Sequence, residues 1–183
     1  MPFVKNIQNP LLRGAVEWLI SLGFAVLLFF FVRTFVFRIA HVDGNSMAPT
    51  LAHSDMVMLN RFVYIFSRPR VGDIVAFPYP GNPTDVFIKR VIAEGGDTVD
   101  MRYGYFYVND QRLDDEFSHA PTRFAGNVNF PIEVEDGYYF VLGDNRDGSQ
   151  DSRVSSVGNV RARDMVGRAR IRVWPLDRFG RVR

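Results

Sequence analysis

The sequence predicts a mostly β fold: a partly closed antiparallel β-sheet domain preceded by one N-terminal transmembrane helix. Three observations carry this. An apolar stretch from Val16 to Phe37 is long enough for the ~20 residues that a bilayer-spanning helix needs. From Arg38 onward the chain changes to short segments rich in branched and aromatic residues, separated by turn signals. The 183 residues, 47% hydrophobic and 23% charged, fit about one domain with room for a core and exclude wholesale disorder.

Residues 1–13 read as a short basic segment carrying Lys5 and Arg13. Residues 14–37 read as the transmembrane anchor helix and 38–183 as the β-rich domain. The most apolar part, Trp18 to Val32, is too short alone, and the longer span takes in Glu17 and Arg33 near its ends. There both reach the headgroup region, Arg33 by snorkelling. Three readings compete: a membrane anchor, a cleaved signal peptide and a buried helix. A basic start before an apolar core suits a signal peptide. However, Phe37-Arg38-Ile39-Ala40 makes a poor cleavage site, and the anchor is preferred. Lys5 and Arg13 on one side face Arg33 and Arg38 on the other, so flanking charge does not orient the segment.

The expected strands are Arg38–Val42, Met56–Asn60, Asp73–Phe77, Val86–Ile92, Thr98–Arg102, Tyr105–Val108 and Tyr138–Leu142, with a last one near Ala169–Val173. Tyr103-Gly104 and Asn109-Asp110 read as hairpin turns. Pro78 to Pro83 reads as a loop between two strands. Gly143 to Ser149 is a second, polar loop, and Phe117–Phe130 has the pattern of a long surface loop. Phe62, Tyr64, Ile65 and Phe66 follow the second strand and have two readings, core packing or a membrane-facing patch.

A net charge of +2 is too small to suggest a nucleic-acid partner, and none is expected. Basic residues gather between Arg161 and Arg183, as a phosphate- or lipid-binding face or as a solvated surface. Without cysteine there is no disulfide framework, no thiolate nucleophile and no Cys-based metal site. His41, His53 and His119 lack metal-ligand spacing. No metal or other cofactor is expected.

Two stretches carry chemistry. Along Val86–Ile92 side chains alternate, so Phe87, Lys89 and Val91 share one face and Val86, Ile88, Arg90 and Ile92 the other. Lys89 thus sits between apolar neighbours, where desolvation lowers a lysine pKa and makes a neutral amine, a general base. The competing reading is a pair of solvated charges on an edge strand. The second stretch, Asp43-Gly44-Asn45-Ser46-Met47-Ala48-Pro49-Thr50-Leu51, is a turn leading into a short helical turn, with Pro49 near its start. Gly44 permits close backbone approach, and N–H groups around Ser46 can converge as an oxyanion hole requires. Against that, Asn and Ser are ordinary turn formers. With no lysine three residues after Ser46, where Pro49 stands, what remains is a serine at a turn and a lysine on an apolar strand face, a serine–lysine variant of triad logic.

Four blocks together resemble the bacterial type I signal peptidase family: Gly44–Leu51, Arg70–Phe77, Phe87–Asp97 and Gly143–Arg153. They stand in family order after an apolar segment, and the likeness runs from about Val32 to Trp174-Pro175, in the short, single-anchor form. It implies a membrane-anchored serine endopeptidase that removes signal peptides from secretory pre-proteins after a small-x-small motif. The implied location is the cytoplasmic membrane, with the catalytic domain on the extracytoplasmic side and membrane lipid as a further partner. It implies Ser46 as nucleophile and Lys89 as general base. Ser149 would orient the lysine amine, and Asp151 and Arg153 would form a supporting ion pair. Asp144 and Arg146 would be structural in the same way. Val42, Asp43, Gly44, Met47, Leu51, Phe87 and Ile88 would line the substrate cleft, the first three beside an extended peptide. Gly44 stands where some members have a serine and Asp43 where many have proline. The stretch after Arg153 is about two residues longer than the usual spacing. Two rivals share parts of this pattern: a soluble, self-cleaving repressor-type serine–lysine peptidase, and a non-enzymatic membrane-tethered β domain that binds peptides.

Overall fold

The Asn9 side chain accepts from the N–H groups of Leu11 and Leu12, and Pro10 follows it. A capping asparagine with proline at the first helical position starts a helix. In the computed structural model, which describes residues 9–31, 36–114, 116–117 and 120–182, helix α1 therefore runs Pro10–Phe31. That is four residues ahead of the expected start. By length and composition it can cross a membrane, and none of its side chains is buried. Glu17 lies one turn from Arg13, Oε1 to Nε 3.1 Å, which offsets a charge that would be costly alone in lipid. Most of the basic segment 1–13, together with Arg33, His119 and Arg183, lies outside the described residues.

The chain divides into two compact units between Arg38 and Ile39. After α1 the elements are β1 (Phe37–His41), β2 (Met56–Asn60), α2 (Val63–Phe66), β3 (Ile74–Tyr79), β4 (Asn82–Glu94), β5 (Thr98–Arg102), β6 (Tyr105–Val108), β7 (Gln111–Arg112), β8 (Ile132–Glu133), β9 (Tyr138–Leu142), β10 (Val160–Arg161), β11 (Gly167–Trp174) and β12 (Gly180–Arg181). An eight-stranded sheet has the order β1-β2-β11-β3-β4-β9-β10, with β12 also on β11. A four-stranded sheet has the order β7-β6-β5-β8. The architecture is mostly β, built of antiparallel sheets after one N-terminal apolar helix, as the sequence predicts.

The strands form where branched and aromatic side chains alternate, and both predicted hairpin turns are made. Tyr103 (φ 54°) and Gly104 (φ 81°), then Asn109 (φ 51°) and Asp110 (φ 63°), place two consecutive residues in the left-handed region, which these two-residue hairpins need. The expected loop from Pro78 to Pro83 is much tighter. Pro78 pairs with Val86 and Tyr79 with Asn82, leaving Pro80-Gly81 as the turn. The Tyr79 ring stacks on Phe87, centroids 4.6 Å apart, and closes the hairpin. Pro78 and Pro83, the two prolines within the strands, sit at its outer, more exposed end, where a missing N–H is tolerated.

Three apolar clusters form the core. Val42, Met47, Leu51, Val57, Leu59, Ala76 and Ile88 make the first. Val75, Phe77, Val91, Tyr139 and Val141 make the second, with Phe87 packed against it. Ile92, Phe140 and Leu142 meet Val99 and Phe106 of the smaller sheet in the third. β4 contributes to all three, so its two faces are fixed from both sides.

Within the expected loop from Phe117 to Phe130, residues 122–127 are stitched down rather than free at the surface. Thr122 Oγ1, Arg123 N and Phe124 N all donate to Asp147 Oδ1. Arg153 donates Nη1 to Phe124 O at 2.7 Å and accepts at its own carbonyl from Asn127. A side chain at Gly126 would strike the Arg153 backbone, so glycine is required there. Of the aromatic group after β2, Tyr64 packs into the core, while Phe62, Ile65 and Phe66 are exposed. The basic C-terminal stretch is largely paired. Arg168 holds Asp73 at 2.8 Å, and Arg172 and Arg178 hold buried Asp55 at 3.1 and 3.4 Å.

Candidate active site

Strand β4 delivers the lysine. Its register against β3 sets Val75 directly across from Lys89, with Phe87 and Val91 as same-face neighbours. The amine lies 5.0 Å from the Phe87 ring centroid, and Lys89 is 4% exposed. The solvated-edge reading of Lys89 is therefore wrong: β4 is an interior strand, flanked by β3 and β9. Desolvation lowers the Lys89 pKa to about 8, with the charge of Arg153 acting the same way and those of Asp151 and Asp144 opposing it.

The turn after β1 delivers the serine. Residues 46–50 are turns, with Leu51 N–H donating to Met47 O and Ala48 N–H to Asn45 O. No helix forms, and the Ala48–Pro49 peptide is cis. Gly44 has φ +86°, and a side chain there would meet nothing within 4 Å. The left-handed backbone, rather than close approach, is what calls for glycine at this position. Met47 and Leu51 are buried beneath the turn and pin it to the first core cluster.

The two converge. Lys89 Nζ lies 2.7 Å from Ser46 Oγ. A neutral amine at this range can accept the hydroxyl proton, and burial favours the neutral form, so the arrangement is chemically able to pair a base with a nucleophile. Among the described residues the Ser46 N–H has no hydrogen-bond acceptor, which leaves it able to serve an oxyanion.

The loop after β9 holds this turn. Asn145 donates its N–H to Ser46 O and its Nδ2 to Asn45 O, both at 3.1 Å. Asp144, fully buried, accepts from Thr50 Oγ1 at 2.5 Å and from Arg90. Asp144 thus pairs with Arg90 rather than Arg146, whose Nε donates to Gly143 O at 3.0 Å. Arg90 does point to the face opposite Lys89, yet it belongs to the site's support. Asp151 and Arg153 form a buried bidentate pair, 2.7 and 2.8 Å. Asp151 Oδ2 also accepts from Gly143 N–H.

Ser149 does not make the implied hydrogen bond to Lys89. Its Oγ is buried and has no partner among the described residues. It packs at Gly143, where a side chain would strike both Ser149 Oγ and Ser46 O. Serine and lysine face a cleft of about 220 Å³, lined among others by Val42, Asp43, Gly44, Met47, Phe87 and Ile88. Leu51 does not line it and is 0% exposed. His41, Asn45, Val86, Gly148 and Gln150 line it as well, and the sequence reading named none of them. Asn45, Gly148, Gln150 and the clamping Asn145 carried a prior signal only through their places in the Gly44–Leu51 and Gly143–Arg153 blocks.

Comparison with known proteins follows this geometry. The family described as signal peptidase, peptidase S26, matches residues 15–174. A probable signal peptidase I-2 of Synechocystis is 38% identical over 165 residues, 85% of this chain and 72% of that one. Signal peptidase I P of Bacillus subtilis subsp. natto is 35% identical over 90% of this chain and 91% of its own. Signal peptidase I of Leptolyngbya laminosa is 34% identical over 94% and 84% respectively.

Proposed function

The chain belongs to the signal peptidase family, peptidase S26, and from that premise we propose that it cleaves signal peptides from secretory pre-proteins with Ser46 as nucleophile and Lys89 as general base. The observation that carries the assignment of roles is the 2.7 Å contact between Lys89 Nζ and Ser46 Oγ. Lys89 takes the hydroxyl proton as Ser46 attacks the scissile carbonyl. The tetrahedral oxyanion rests on the Ser46 N–H. Lys89 then gives its proton to the leaving amine, and the signal peptide stays as an ester on Ser46. In the second half Lys89 takes a proton from water, which hydrolyses the ester. Ser149, buried beside Gly143 and the Ser46 carbonyl, accepts an N–H from the lysine amine once its side chain turns toward it, which leaves the amine's one lone pair for the Ser46 proton. Asp151, Arg153, Asp144 and Arg146 hold the loop that supports the turn.

The substrate lies beside Val42, Asp43 and Gly44 as an added strand. Val42, Met47, Phe87 and Ile88 wall shallow pockets that accept small side chains and give a small-x-small preference. The family match begins at residue 15, inside α1, which supports α1 as a retained membrane anchor over a cleaved leader. We place the catalytic domain on the extracytoplasmic side of the cytoplasmic membrane, where pre-proteins emerge, with Phe62, Ile65 and Phe66 suited to contact lipid. The self-cleaving repressor-type reading has no support from the relatives. The peptide-binding reading required Ser46 and Lys89 to lie apart, and they touch. The test is pre-protein cleavage by Ser46→Ala and Lys89→Ala in detergent or vesicles. Both are expected to lose cleavage while remaining folded, and retained cleavage in either overturns the assignment.

A further inference from the structure

The cleft-lining segment Val42–Gly44 is tied along one edge only. Val42 N–H donates to Asp55 O at 2.8 Å, and Ser54 N–H donates to Val42 O at 2.9 Å. Gly44 N–H, two residues on, points the same way and donates to His53 Nδ1 at 3.1 Å. Backbone groups alternate along an extended chain. The N–H and C=O of Asp43 therefore face the opposite edge, toward the cleft that holds Ser46 and Lys89. His53 stands where a strand partner's carbonyl would otherwise be.

We propose that His53 is a positioning residue for substrate: its imidazole holds the Gly44 peptide so that the Asp43 edge stays ready to pair with an incoming extended peptide. This rests on the reading of the cleft as the peptide site.

The chemistry fixes the protonation state. A backbone N–H can only donate, so Nδ1 must be bare and the proton must sit on Nε2. Asp43 Oδ1 lies 3.3 Å from the same Nδ1. With Nδ1 bare, only the Gly44 contact can be a hydrogen bond, because a carboxylate has no proton to donate. Asp43 faces the imidazole from the cleft edge. Asp55, on the segment that follows His53, is committed to Arg172 and Arg178. His41 and Lys89 are the other titratable groups lining the cleft.

The experiment is steady-state cleavage of a signal-peptide substrate by the full chain in detergent micelles. His53→Ala is expected to raise KM about fivefold, the effect of losing one hydrogen bond, with kcat within about twofold. His53→Asn, whose amide oxygen can accept from Gly44, is expected to restore KM. An unchanged KM in His53→Ala, a fall in kcat rather than a rise in KM, or failure of His53→Asn to restore KM overturns the proposal. Ser46→Ala in the same assay separates the two readings: cleavage there would overturn the site itself, whatever His53 does.

Discussion

Arg90 holds Asp144 with two parallel contacts, Nε to Oδ1 and Nη2 to Oδ2, each 2.7 Å. Asp144 accepts as well from Thr50 in the serine turn, and its neighbour Asn145 clamps the Ser46 carbonyl. Consecutive residues of β4 thus reach the serine turn from opposite faces of one strand. Lys89 meets the hydroxyl, and Arg90 fixes the loop that fixes the backbone.

Asp144→Asn keeps the shape and removes the charge. It takes the charge of Asp144 out of a buried, bidentate pair, and breaking a buried pair costs about 3 kcal/mol or more. Denaturant unfolding is expected to show that loss, with kcat falling as the Ser46 turn loosens. A stability within about 0.5 kcal/mol of wild type, the range for surface changes, contradicts the role given to this pair.

Gly143→Ala puts a methyl group into Ser149 Oγ and the Ser46 carbonyl. Ser149 Oγ can rotate, but the Ser46 carbonyl is backbone and Ser149 Cβ also stands in the way, so the backbone of the site has to shift. Overpacking of this kind costs about 1–3 kcal/mol. Cleavage is expected to fall by far more than folding stability explains, measured as kcat on folded protein. Near-normal kcat contradicts the claimed closeness of Gly143, Ser149 and Ser46.

How much of this was legible in the sequence follows from which interactions are local. The alternation along Val86–Ile92 placed Lys89 beside Phe87 and Val91 and turned Arg90 away, because strand faces depend only on the two-residue period. The pairing of Arg90 with Asp144 spans 54 positions, and no local pattern encodes that distance. Leu51 illustrates the same limit: its apolar character fits a pocket wall and a core equally well, and only the fold shows that Met47 lines the cleft while Leu51 lies beneath it. The segment before Phe130 has no period, since its order comes from Asp147 and Arg153 rather than from a strand ladder. His53 gave no signal at all, because its partner is a backbone N–H nine residues earlier.

The burial of Lys89 also shapes stability. Its pKa is about 8 in the folded chain against an ordinary 10.5. Between those values an unfolded chain holds a proton that the folded chain lacks, so stability rises with pH across that window. Lys89→Met removes this dependence and is expected to stabilise the protein below about pH 8 by up to about 3 kcal/mol. Unfolding midpoints measured across pH check it. A Lys89→Met protein as pH-dependent as wild type from about pH 8 to pH 10.5 contradicts the desolvated lysine.

The most direct test of the central claim is the pH dependence of kcat/KM for pre-protein cleavage, because a general base acts only when unprotonated. A Lys89 amine desolvated beside Phe87, Val75 and Val91 predicts a rate that climbs with pH along one limb of apparent pKa about 8 and levels off above it. A limb near ~10.4, the value of a lysine in water, contradicts the account.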